Sequence, residues 1–175
     1  MIFFTADLHL GHENIIKHSN RPFATVSEMD EALIGNWNAA VTPEDEIYIL
    51  GDLTMRPAAE AHVYLTRLKG RKYFIRGNHD KFLKEFATYE RDFVWVKDYH
   101  ELNIDGRRFV LFHYPILEWA NYYRGAIHLF GHVHNSKTSA KLLEGLKGPA
   151  FNMGVDVNYY SPVRITEVIR RAEQM

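Results

Sequence analysis

Residues 73–80 read YFIRGNHD. An apolar, strand-forming run passes through an Arg and a Gly into an amide, an imidazole and a carboxylate in consecutive positions. A reversing turn needs only the Gly and the Asn. A turn followed by a helix cap at Asp80 also accounts for the pattern, so the segment alone leaves two readings open. The choice rests on whether other strands in the chain end the same way.

Five further runs share its character: Ile2-Phe3-Phe4, residues 47–50 (IYIL), 109–112 (FVLF), 127–130 (IHLF) and 151–153 (FNM). Near-continuous hydrophobicity, without strict alternation, suits strands covered on both faces. Between the first two lies a helical pattern in which Ser27 can cap, Asp30 follows three residues on, and Met29, Leu33, Trp37 and Ala40 share a face. A second helix is expected over 57–69, with Pro57 in the first turn and Gly70 ending it, and a third from Asp80 to about residue 89. Strands alternating with helices indicate an α/β layered fold. Asp105-Gly106 between HELNI and RRFVLF predicts a two-residue hairpin, an antiparallel pair added to the sheet. Residues 142–149 read as a surface loop, and nothing divides the chain, so one domain over 1–175 is expected.

The run ends are alike. Asp7 and His9 follow the first, Gly51-Asp52 the second, Gly77-Asn78-His79-Asp80 the third, His113 the fourth and Gly131-His132-Val133-His134 the fifth. In open α/β sheets the ligand site lies beyond the carboxyl ends of the strands, so these side chains converge. They exceed what one ion accepts and match two divalent ions with mixed nitrogen and oxygen ligands. Singly, each has a plainer reading: Asp52 as a turn residue, His113 as a partly buried histidine. GHVH is more specific, because alternate positions on an extended segment put both imidazoles on one side. The joint occurrence, in order, decides for a metal centre. His18, His62, His100 and His128 read as surface or packing residues. His12 either reaches the site or packs at a helix start. HENIIKH is not the zinc-protease motif, since Ile16 stands where the second His is needed.

Composition narrows the class. The 175 residues are 46% hydrophobic and 25% charged, enough to bury a core unaided. With 21 Lys plus Arg against 22 Asp plus Glu the net charge is −1, which disfavours broad capture of nucleic acid or an anionic membrane. The absence of Cys excludes disulfides and thiolate chemistry. No basic leader precedes Asp7 and no apolar run reaches the length of a membrane span, so a cytoplasmic protein is expected.

With these motifs in place, the sequence resembles the calcineurin-like metallophosphoesterases, whose pattern is D-x-H, G-D, G-N-H-D/E, a lone H and G-H-x-H. Every element is present, from Asp7-Leu8-His9 to Gly131-His132-Val133-His134. The segments DLHLGHENII, IHLFGHVH and FNMGVDVNYYSP are similar to a compact single-domain bacterial or phage-type branch. The resemblance implies a four-layer α/β/β/α sandwich of two mixed sheets flanked by helices. It assigns one metal to Asp7, His9, Asp52 and His134, and a second to Asp52, Asn78, His113 and His132, with Asp52 shared. His79 faces the substrate as general acid, and Asp80 orients it.

The implied activity is hydrolysis of phosphodiesters or phosphomonoesters by in-line attack of a hydroxide bridging ions about 3.5–4 Å apart. Mn²⁺ is favoured, with Fe²⁺, Zn²⁺, Co²⁺ or Ni²⁺ also accepted by such ligands. The expected partner is a small phosphate ester, nucleotides included. Arg56, Tyr123, Arg124 and His12 are candidates for holding it, Arg for phosphate and Tyr for stacking, though Arg56, Tyr123 and Arg124 equally read as surface residues. Arg76 reads as a structural ion pair in preference to a phosphate ligand. A non-catalytic scaffold of the same fold is the rival reading. His79 and the full ligand set speak against it, and near-neutral charge speaks against a nuclease.

Overall fold

Phe3 and Phe4 are neighbours on one strand and both are buried, on opposite faces. That pairing recurs and explains the uninterrupted apolar runs. Phe3, Ile47, Ile49 and Phe74 point to one core, and Phe4, Tyr48, Leu50, Tyr73 and Ile75 to another. Successive side chains of a strand alternate faces, so a strand buried on both sides has no polar positions to spare.

The computed structural model describes residues 1–84 and 91–175. In the first sheet, β1 (Ile2–Thr5), β2 (Glu46–Ile49), β3 (Arg71–Ile75) and β4 (Trp95–Lys97) run parallel, and β9 (Val163–Arg164) pairs antiparallel with β1. The second sheet has the order β5 (Tyr99–Ile104), β6 (Arg107–Phe112), β7 (Ile127–Phe130), β8 (Ala150–Asn152), antiparallel only between β5 and β6. The two sheets pack through Phe4, Tyr48, Tyr73, Phe109, Leu111 and Leu129, with the Phe4 and Phe109 rings 6.1 Å apart.

Helices α1 (Glu13–His18), α2 (Val26–Ala40) and α3 (Ala58–Arg67) cover the outer face of the first sheet. Met29, Leu33 and Trp37, at helical spacing on α2, are each buried there. Full burial of a large apolar side chain contributes roughly 1.5–3 kcal/mol. The outer face of the second sheet is covered more thinly, by Trp119 from the β6–β7 connection against Val110 and Ala126. Helix α4 (Lys137–Leu143) follows β7, and α5 (Ile165–Glu173) closes the inter-sheet core with Ile165 and Val168. Two mixed sheets flanked by helices are thus the architecture.

Several local expectations are corrected. The cap of α2 is Thr25, not Ser27: its hydroxyl accepts from the Glu28 amide at 3.1 Å, while Glu28 accepts from the Ala24 amide at 2.8 Å. This reciprocal arrangement starts the helix two residues earlier. Asp30 is not a cap partner; its buried carboxylate accepts from the Gly11 amide at 3.0 Å and from the Tyr64 hydroxyl at 2.8 Å. The hairpin forms at Asp105-Gly106, both with positive φ, but it opens the second sheet and is not an extension of the first. The expected third helix is a single 3-10 turn over Lys81–Lys84 where described, and its remainder falls outside the described residues. The loop expected over 142–149 begins inside the last turn of α4. Strands β4 and β9 were not foreseen; at three and two residues they leave no periodic signal.

Candidate metal centre

Parallel strands point their carboxyl ends to one edge, and both sheets present that edge to the same place. The seam is closed by the segment after β8: the Ala6 amide donates to the Met153 carbonyl at 3.0 Å, and the Met153 amide donates to the Phe130 carbonyl at 2.7 Å. Asp7 and His9 leave β1, Asp52 leaves β2, Asn78 and His79 leave β3, His113 leaves β6, and His132 and His134 leave β7. Asp7, Asp52, His9 and His113 are almost fully buried.

The backbone is strained where these residues sit. Among the described residues ten non-glycine residues have positive φ, and Asp7, His9, Asp52, His132 and His134 are five of them. Such conformations cost on the order of 1–3 kcal/mol each and persist where surrounding structure holds them. Two glycines permit the close approach. A Cβ on Gly77 would lie 2.3 Å from Asp52 Oδ1, and one on Gly131 would lie 2.6 Å from the Ala6 Cβ and 2.8 Å from Asp7 Oδ2.

Donor atoms of Asp7, His9 and His134 lie within 4.8 Å of one another, as do those of Asp7, Asp52 and His113. Asp7 is thus common to both triads, whereas the resemblance implied Asp52 as the shared ligand. Asp52 nonetheless sits centrally: its Oδ2 is 3.5 Å from His9 Nε2 and 3.6 Å from His113 Nε2. Its Oδ1 accepts from the His79 amide at 2.9 Å. The two oxygens of Asp7 accept from the His132 amide at 3.0 and 2.9 Å.

The donor set fits divalent cations. His9 Nε2 is buried without a hydrogen-bond partner among the described residues. His113 Nδ1 lies 2.7 Å from the Leu50 carbonyl, which only accepts, so that nitrogen carries the proton. Its Nε2 lone pair then faces Asn78 Oδ1 at 3.0 Å and Asp52 Oδ2. His132 Nδ1 is also 3.0 Å from Asn78 Oδ1. Acceptor atoms that converge in this way repel unless a cation or a proton lies between them.

Charges agree. Burial raises the Asp7 carboxyl to about 7. Burial lowers His9 to about 2, and it also lowers His113 and His132. Burial acts to lower His134 as well, but its bond to Asp156 and the nearby Asp7 charge outweigh that and raise it. Neutral imidazoles are the form that ligates a metal.

Other expected residues fall into place differently. Asp80 is buried, and burial raises its carboxyl to about 7. Its oxygens accept from the amides of Gly77, Asp52 and Leu53 at 2.7, 2.8 and 2.9 Å, and it makes no hydrogen bond to the His79 ring. Its hydrogen bonds clamp the backbone at the exits of β2 and β3. His79 lies 5.5 Å from His9, ring to ring, and lines a cavity of about 450 Å³ with His12, His18, His132 and His134. His18, read as a surface or packing residue, is therefore part of the cavity wall.

Arg56 does not reach that wall; its Nε donates to the Gly11 carbonyl at 3.0 Å. Tyr123 and Arg124 lie just before β7, at the edge opposite the centre, because the chain must return there to begin a parallel strand. The Tyr123 hydroxyl donates to Glu118 at 2.8 Å. Arg76 pairs with Asp98 at 2.7 Å, the structural ion pair expected of it. Sequence reasoning missed Asp156 and Arg21. Asp156 Oδ2 is 2.7 Å from His134 Nδ1, and Arg21 holds Asp156 in turn.

Two packed mixed sheets whose carboxyl edges gather an Asp/His cluster define a metallophosphoesterase-type fold. The chain belongs to the calcineurin-like phosphoesterase superfamily, whose domain description matches residues 2–151. That family is metal-dependent and acts on phosphate esters, and the cluster here could hold metal. An uncharacterized protein of Methanocaldococcus jannaschii is 35% identical over 175 residues, covering 99% of this chain and 92% of the relative. The gene 66 protein of Mycobacterium phage D29 is 29% identical over 159 residues, covering 77% and 78%. A solved structure of a protein of unknown function from Aquifex aeolicus aligns with a TM-score of 0.76 at 26% identity, covering 97% and 98%. Among the described residues no helix is long and apolar enough to cross a membrane.

Proposed function

We propose that the protein hydrolyses small phosphate esters at a dinuclear metal centre, with phosphodiesters the first candidates. The carrying observation is the position of Asp52 Oδ2 between His9 Nε2, which is buried and without a hydrogen-bond partner among the described residues, and His113 Nε2. The ligand residues are Asp7, His9, Asp52, Asn78, His113, His132 and His134. Divalent ions, Mn²⁺ first among them, supply Lewis acidity toward phosphoryl oxygens and lower the pKa of bound water.

The chain's own residues do the rest. Asp7 and Asp52 supply the only carboxylates in the ligand set, so the centre keeps positive charge for an oxyanion. His79, at the cavity wall, gives its ring proton to the departing oxygen; the hydrogen bond that its backbone amide donates to Asp52 Oδ1 ties the donor to the centre. No Lys or Arg lines the cavity among the described residues, which favours a singly charged diester over a doubly charged monoester.

The test is metal-depleted protein supplemented with Mn²⁺ and assayed on p-nitrophenyl phosphate and bis-p-nitrophenyl phosphate, with Asp52→Asn as control. Diester turnover lost in the variant is expected, and cyclic nucleotides would follow as substrates. Monoester preference would redirect the substrate, and no turnover with two metals bound would favour a non-catalytic scaffold.

A further inference from the structure

The family match ends at residue 151, yet the chain continues into the site. After β8, the Val155 amide donates to the Ala6 carbonyl at 3.0 Å, which lays the following residues along the exit of β1. Asp156 is thereby brought against His134, with Oδ2 2.7 Å from Nδ1. Arg21, from the segment after α1, grips the same carboxylate with both edges of its fork: Nε to Oδ1 at 2.8 Å and Nη2 to Oδ2 at 3.1 Å. Both side chains are fully buried.

Arg21 does more than neutralise Asp156. Its Nη2 donates to the Asp7 carbonyl at 2.7 Å and its Nη1 to the Leu8 carbonyl at 2.8 Å. It thus holds the stretch in which Asp7 and His9 adopt positive φ. A bare carboxylate this close to a dication would compete to become a ligand itself. With both oxygens held by the guanidinium, Asp156 is left as an acceptor for the imidazole N–H, which presents Nε2 of His134 to the centre.

We infer that Arg21 and Asp156 are positioning residues: a buried guanidinium–carboxylate couple that fixes the tautomer and orientation of His134 and makes the tail beyond residue 151 part of the metal centre. This rests on the dinuclear reading above. Removing a hydrogen-bond partner of a metal-bound histidine typically costs about 10–100-fold in affinity.

The experiment is Mn²⁺ titration by calorimetry of metal-depleted wild type and Asp156→Ala, with ¹⁵N shifts of His134 read in the Zn²⁺-loaded forms. Expected are two binding events in the wild type, one of them weakened about 10–100-fold in the variant, with the other unchanged and the His134 tautomer no longer uniform. Equal weakening of both events would mean a merely structural role, and unchanged affinities would overturn the inference while leaving the metal centre intact. Wild type binding no Mn²⁺ would overturn the dinuclear reading itself. Should Asp156→Ala not fold, Asp156→Asn keeps the shape and an acceptor. A smaller loss confined to the same event supports the inference, and none overturns it.

Discussion

The carboxylate of Asp80 accepts a hydrogen bond from the backbone amide of Asp52 at 2.8 Å, across 28 residues of chain. With the Leu53 and Gly77 amides it holds the exits of β2 and β3 together, directly behind the Asp52 side chain. Asp80→Ala strands two buried amides and the half-buried amide of Gly77, a buried one costing about 1–3 kcal/mol. The expected result is a loss of about 3 kcal/mol or more in denaturant unfolding together with weaker metal binding. Unchanged stability with only kcat reduced would instead return Asp80 to the role of orienting His79.

The role proposed for His79 is separable from the fold. His79→Ala is expected to leave Mn²⁺ stoichiometry and unfolding midpoint intact and to slow turnover by about 10²–10⁴-fold on alkyl esters. Nitrophenyl esters, whose leaving group needs no proton, should suffer much less. Parallel kcat measurements on the two classes decide, and equal losses would remove His79 as the acid.

Two glycines should answer in opposite senses. Gly77→Ala drives a methyl to 2.3 Å from Asp52 Oδ1 and 2.9 Å from Asp80 Oδ2. It should cost about 1–3 kcal/mol of stability and weaken metal binding with it. Gly35, exposed within α2, meets nothing within 4 Å, so Gly35→Ala should stabilise by about 0.5–1 kcal/mol without touching activity. Denaturant melts with and without Mn²⁺ read both.

Metal binding should depend on pH through Asp7. Its folded pKa is raised to about 7 by burial, so in the metal-free protein its contribution to stability is full below the unfolded value of about 3.9 and is lost as pH rises through about 7. A cation needs the carboxylate, so affinity should fall as pH drops below about 7, by up to about tenfold per unit for one displaced proton. Calorimetry in buffers of different ionisation enthalpy counts the protons released. No release near pH 6 would exclude Asp7 as a ligand.

The strands that carry the centre were legible because each needs an apolar run, and a polar residue after such a run stands out. The Asp105-Gly106 hairpin was legible because it needs two residues that tolerate positive φ. Helix starts were less so: Thr25 and Ser27 are equally able hydroxyl caps, and only the path of the chain into α2 selects Thr25. Tyr123 and Arg124 suggested phosphate and base contacts by type, but a parallel return strand puts them on the far edge.

By itself, then, the sequence determined that β1, β2, β3, β6 and β7 end in Asp, Asn and His side chains of the metal-ligating type, because that information is local to each strand end. Only the tertiary structure decided what stands behind those side chains. Arg21 and Asp156 are 135 residues apart, and Asp80 reaches back to the amides of Asp52 and Leu53. Neither bond leaves a periodic or spacing signal, because a buried ion pair or a carboxylate on distant amides is specified by which surfaces pack together and not by neighbours along the chain.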